Sequence, residues 1–169
     1  MIATQIALEH VSKTLFKFID ETFSKTHGLY LDRGTSLYVT LDSVTAEEAS
    51  RSASPATATI AAQVDHVRFY LDVVNEMVNT QDFDKKYNWR EIWETVGEVT
   101  PEEWEDLKRR LRESHARVME SISLPDYWGG PFDVAAVVSI IAHTAYHLGG
   151  LRQALGVIRA SSQTAAIAR

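Results

Sequence analysis

The chain has 169 residues, and its 17 basic against 23 acidic side chains leave a net charge of −6. That balance argues against nucleic-acid binding, which needs a basic surface to displace counterions. The absence of cysteine excludes disulfides, a thiolate metal site and a cysteine nucleophile.

The length suits one domain with one sizeable core, taken here as residues 1–169, with the packed part over 5–156 and a loose tail over 157–169. Met1-Ile2-Ala3-Thr4-Gln5 shows no basic segment followed by an apolar one, so no signal peptide is expected. The longest apolar run, Val134 to Ala142 broken by Ser139, is far short of the roughly 20 residues a membrane span needs. The expectation is a cytoplasmic protein with no membrane partner.

Taken in order, apolar residues from Ile2 to Phe23 recur at mixed three and four spacing, which predicts a first helix over 2–24 ending before Gly28. Leu37-Tyr38-Val39-Thr40-Leu41 reads as an extended packed segment, because no second strand exists to pair with it. Thr45-Ala46-Glu47-Glu48 predicts a short helix to about Ser52. Ser54-Pro55, a capping serine then proline, predicts a long helix from there to about Thr80. Residues 81–99 read as a polar crossover anchored by Phe83, Tyr87, Trp89 and Trp93, with a short helix over 89–95. Thr100-Pro101-Glu102-Glu103 predicts a third long helix to about Ser121. Leu124 to Pro131 is a loop by its proline and glycine content. The fourth long helix runs from about Phe132 to Gly156, followed by a fraying tail. Four long amphipathic helices, one core and no convincing sheet predict an all-α four-helix bundle.

The chemistry concentrates in His143-Thr144-Ala145-Tyr146-His147. Two imidazoles four residues apart share one helical face, and that face is otherwise apolar. Imidazole nitrogens bind a zinc-type ion, and this spacing lets two rings converge on it. A third ligand has to come from elsewhere. His66 stands on a strongly apolar helix face, with His10 and His115 as competitors. A metalloprotease carries glutamate after the first histidine as general base. Thr144 stands there instead, which argues against a zincin-type peptidase.

Ala61-Ala62-Gln63-Val64-Asp65-His66 on one helix and His143-Thr144-Ala145-Tyr146-His147-Leu148-Gly149 on another resemble the DinB-like (YfiT-like) superfamily of metal-dependent enzymes, over roughly residues 5–156. The resemblance implies an up-down-down-up bundle. It implies a divalent metal, zinc or nickel, held by His66, His143 and His147. It also implies a thiol-dependent transferase or isomerase acting with a low-molecular-weight thiol such as bacillithiol or mycothiol, and a homodimer. Many relatives place glutamine where this chain has Gly150. Gln153 lies about 300° further round the helix, on nearly the same side.

A metal on three neutral imidazoles keeps its full charge, so it supports hydrolysis through bound water or transfer through a bound thiol. With no cysteine in the chain, the thiol would be a substrate. Gln63, Tyr70, Ser139, Tyr146 and Gln153 are candidates to hold the imidazoles or touch substrate. The plainer reading of each is a half-buried polar residue satisfied by backbone or water. Arg152, about 140° round the helix from His147, reads as a surface or interface partner. No catalytic residue beyond the metal set is assigned. Trp89, Trp93, Tyr127 and Trp128 read first as loop anchors and second as pocket walls. The leading functional expectation is a metal-dependent S-transferase or hydrolase acting on a small molecule. The alternative is a non-catalytic, stress-related ligand- or metal-binding bundle.

Overall fold

Threonine side chains start three helices in the computed structural model, which describes residues 7–167. Thr45, Thr59 and Thr100 each accept a hydrogen bond from the backbone N–H three residues on, at 3.1–3.2 Å. Such caps satisfy N–H groups that a helix start leaves unpaired, and each contributes about 1 kcal/mol. At Thr45 and Thr100 a glutamate reaches back to the capping residue's own N–H and closes a capping box.

The elements are α1 (Leu8–Phe23), α2 (Leu37–Asp42), α3 (Ala46–Ala49), α4 (Ile60–Thr80), α5 (Glu91–Thr95), α6 (Pro101–Ser123) and α7 (Asp133–Ile167). A 3-10 turn over Pro125–Gly129 joins the last two. The chain is all-α, with no strand among the described residues. Helix α4 packs on both α6 and α7, and α7 also meets α1. Between them lies a core built on Ile19, Phe23, Trp104, Leu111, Ile140 and Leu148, each buried. The Trp104 indole N–H donates to the Val44 carbonyl at 2.9 Å, so its one polar atom is satisfied inside that core.

Several boundaries differ from the sequence expectation. Residues 37–42 are a helix, not an extended segment. Leu37, Thr40 and Leu41 are its buried positions, and Val44 just beyond is buried too. That is spacing of three and four, while the alternation of Leu37, Val39 and Leu41 that suggested extension leaves Val39 exposed. Ser54-Pro55 does not open α4. Ser54 and Thr57 form a closed turn, the Thr57 N–H donating to the Ser54 carbonyl at 3.0 Å, and Thr59 caps the helix instead. The tail expected to fray from residue 157 continues α7 to Ile167. Ile158 is buried there, and Arg51 donates to Ser161 and Ser162. The part of the first predicted helix before residue 7 lies outside the described residues.

Within Asp133–Thr164 of α7 an 18-residue window reaches a mean hydropathy of 1.5, enough by length and composition to cross a membrane. A search for unbroken apolar runs misses this, because isolated Ser139, His143 and His147 interrupt the run without lowering its average much. The inward face of α7 meets α1 and α4 and carries the paired histidines.

Candidate metal centre

His66 sits in the first half of α4, on a face whose neighbours Ala62, Val67 and Val73 are buried. His143 and His147 sit one turn apart in α7. Because α4 and α7 pack together, the three rings meet. One ligand atom of each lies within 4.8 Å of the others. His66 Nε2 and His143 Nε2 are 3.1 Å apart.

The surroundings keep these imidazoles neutral. Burial pushes His143 down to about 4, with His147 and His66 adding to the shift. Burial, then His66, brings His147 to about 4 as well. Burial also lowers His66, against a smaller upward pull from Asp65. Neutral rings have lone pairs to offer a cation. Asp65 does not compete for that role, since its carboxylate accepts from Arg68 Nε at 2.6 Å.

The donor set fits a divalent ion. Two Nε2 atoms facing at 3.1 Å share either one proton or one cation, and one proton leaves the third ring unserved. Tetrahedral zinc at 2.0–2.1 Å places its nitrogens about 3.4 Å apart, between the closest and widest separations seen here. His66 Nδ1 and His143 Nδ1 are buried with no partner among the described residues. An unpaired buried polar atom costs about 1–3 kcal/mol.

Aromatic plates hold two of the rings. Tyr70 stacks on His143 with centroids 3.6 Å apart. Trp93, from α5, stacks on His66 at 4.2 Å, and Trp89 meets the same ring edge-on at 6.4 Å. Trp89 and Trp93 are therefore walls of the site. Trp128 anchors a connection, donating from its indole to the Ile122 carbonyl at 2.9 Å. The sequence favours anchoring for all four aromatics, Trp89, Trp93, Tyr127 and Trp128. No local signal separates the two uses, because Trp93 reaches His66 only through the fold of the 81–99 crossover.

The other candidates divide. Ser139 opposes the upward shift that burial gives the Tyr70 phenol, so it acts on the plate behind His143. Gln63, Tyr146 and Gln153 line a cavity of about 550 Å³ that His147 and Trp93 also line. Tyr146 is 78 % exposed and touches His147 edge-on. Arg152 lies away from the triad, donating to Thr40 Oγ1 at 3.2 Å. The competitors for third ligand fall elsewhere. His10 is exposed near the start of α1, and His115 is stacked on Phe23 at 4.1 Å with its Nδ1 2.8 Å from the Tyr38 hydroxyl.

No family model, curated protein or solved structure matches this chain.

Proposed function

We propose that this chain is a divalent-metal-dependent enzyme of DinB-like type, with His66, His143 and His147 as the metal ligands and a small molecule as substrate. The single observation carrying the proposal is the convergence of three neutral imidazoles within 4.8 Å beside a cavity. An up-down-down-up four-helix arrangement of α1, α4, α6 and α7 belongs to the same reading. The long connections 24–59 and 81–100 support it, since they leave room for crossovers that short turns do not.

When bound, a zinc or nickel ion supplies Lewis acidity that lowers the pKa of a thiol or water in the position the imidazoles leave open. The protein's own part is to hold and shield. Tyr70 and Trp93 fix two ring planes and keep water from those faces. The α7 backbone sets the spacing of His143 and His147. The cavity admits substrate beside His147. Its lining offers no carboxylate and no histidine outside the triad to serve as a separate general base. That favours S-transfer from a thiol over hydrolysis, because an ionised thiol attacks without a further base.

The same lack of a base favours, as second reading, a bundle that binds its ligand without turnover. Metal-loaded and metal-free protein, assayed for thiol conjugation to monochlorobimane, separates the two. Metal-dependent conjugation abolished by His143→Ala supports the enzyme. Saturable shifts in melting temperature with no conjugation support the binding protein. A homodimer belongs to the proposal too, supported by Val134 and Val138, one turn apart on α7 and 41 % and 47 % exposed. Sedimentation equilibrium tests it.

A further inference from the structure

The cavity beside the triad has an unusual lining. Charged residues make up 24 % of the chain, yet none of the residues lining this space is Asp, Glu, Lys or Arg. Its apolar walls are Ala53, Ala58, Trp93, Ala154 and Val157, and beside the His147 imidazole its polar side chains are neutral amides and hydroxyls. A carboxylate on a ligand's body in this space finds no charged side chain to pair with, and the metal of the triad reading is taken by the ligand's donor end.

Gly150 adds a limit of size. It lies inside α7, where glycine is less favourable than alanine. Nothing crowds it: a Cβ there meets only Gln63 Oε1, at 3.5 Å, an ordinary contact. Close helix approach therefore does not explain the glycine. Its effect is to leave the cavity wall bare between Gln63 and Gln153.

We infer that this site selects a ligand with an uncharged, largely apolar body, and that Gly150 provides the room for it. The inference rests on the triad reading for how the ligand's donor end is held. It sets carboxylate-rich thiols apart from the substrate class of this chain. It favours a neutral alkyl or aryl thiol, whose body packs on Trp93 and Val157 while Gln63 and Gln153 offer neutral hydrogen bonds.

The test is a matched pair of thiols on zinc-loaded protein: benzyl mercaptan, and the same molecule carrying a para-carboxylate. Calorimetry is expected to give at least tenfold tighter binding of the neutral thiol. Gly150→Leu is expected to weaken that binding at least tenfold at unchanged zinc stoichiometry. Gln153→Lys is expected to narrow the gap by strengthening the anionic thiol. Equal or tighter binding of the anionic thiol to the wild-type protein overturns the inference, as does a Gly150→Leu variant with unchanged affinity. If the wild-type chain takes up no zinc, the triad reading falls. The cavity claim is then judged on the metal-free chain, by Trp93 fluorescence quenching with the same pair and a Trp93→Phe control. A neutral preference upholds it there, and no preference overturns it.

Discussion

Tyr70 lies flat against His143, their ring centroids 3.6 Å apart and their planes within 8°. The contact joins α4 to α7 and fixes the plane of an imidazole whose Nδ1 has no hydrogen-bond partner among the described residues. Orientation that elsewhere comes from a hydrogen-bonded carboxylate comes here from stacking. Tyr70→Phe keeps the plate and should leave zinc affinity within a few-fold. Tyr70→Ala frees the ring and should lower affinity by roughly tenfold, the low end for losing a group that orients a ligand. Competition with a chromogenic chelator measures both.

Glu21 organises the turn after α1. Its side chain is buried and accepts from the N–H groups of His27, Leu29, Tyr30 and Leu31 at 2.6–3.0 Å. Burial alone would raise its pKa, but the four amides outweigh it and hold the carboxyl at about 2. A carboxylate depressed in this way stabilises the fold above its unfolded value, and that contribution fades as pH falls towards 2. Glu21→Gln should cost about 1–3 kcal/mol at pH 7 in urea unfolding. The difference from wild type should shrink steadily below pH 4.

His115 acts in the same direction over a higher pH window. Burial pushes it down to about 4, against a weaker upward pull from Asp20. Between the unfolded value near 6.5 and about 4 the unfolded chain binds a proton that the folded chain refuses. Stability should therefore fall as pH drops through that window, by up to about 3 kcal/mol from this group. His115→Leu should flatten part of the acid slope. The triad histidines, lowered in the same way by burial, add to that slope in metal-free protein. Unfolding free energies at pH 7 and pH 4.5 provide the check.

Gly149 offers a control for its neighbour. It is exposed within α7, and a Cβ there meets nothing within 4 Å. Gly149→Ala should stabilise the chain by about 0.5–1 kcal/mol through backbone entropy alone. Thermal unfolding should show this with zinc binding unchanged.

Much of this fold is legible in its caps and spacing. Thr100-Pro101-Glu102-Glu103 starts α6, and the Thr45 box starts α3, where the residues indicate. The misreadings fall where two local signals compete. Ser54-Pro55 resembles a helix start, but Thr59 supplies the cap that the folded chain uses. Leu37 to Leu41 fits both periods over so short a stretch, and burial of Thr40 decides for the helix. At the site, His143 and His147 are visible as a pair because one helix carries both. His66 is visible only as a polar residue on an apolar face. Trp93 carries no such mark, since its contact with His66 depends on how a polar crossover folds back.

The most direct test of the account is an anomalous difference map from crystals grown with zinc. The account predicts one strong peak about 2.0–2.1 Å from a ring nitrogen of each of His66, His143 and His147, lost in the His143→Ala crystal. A map with no peak among the three rings, in crystals that bind zinc elsewhere on the chain, would contradict it.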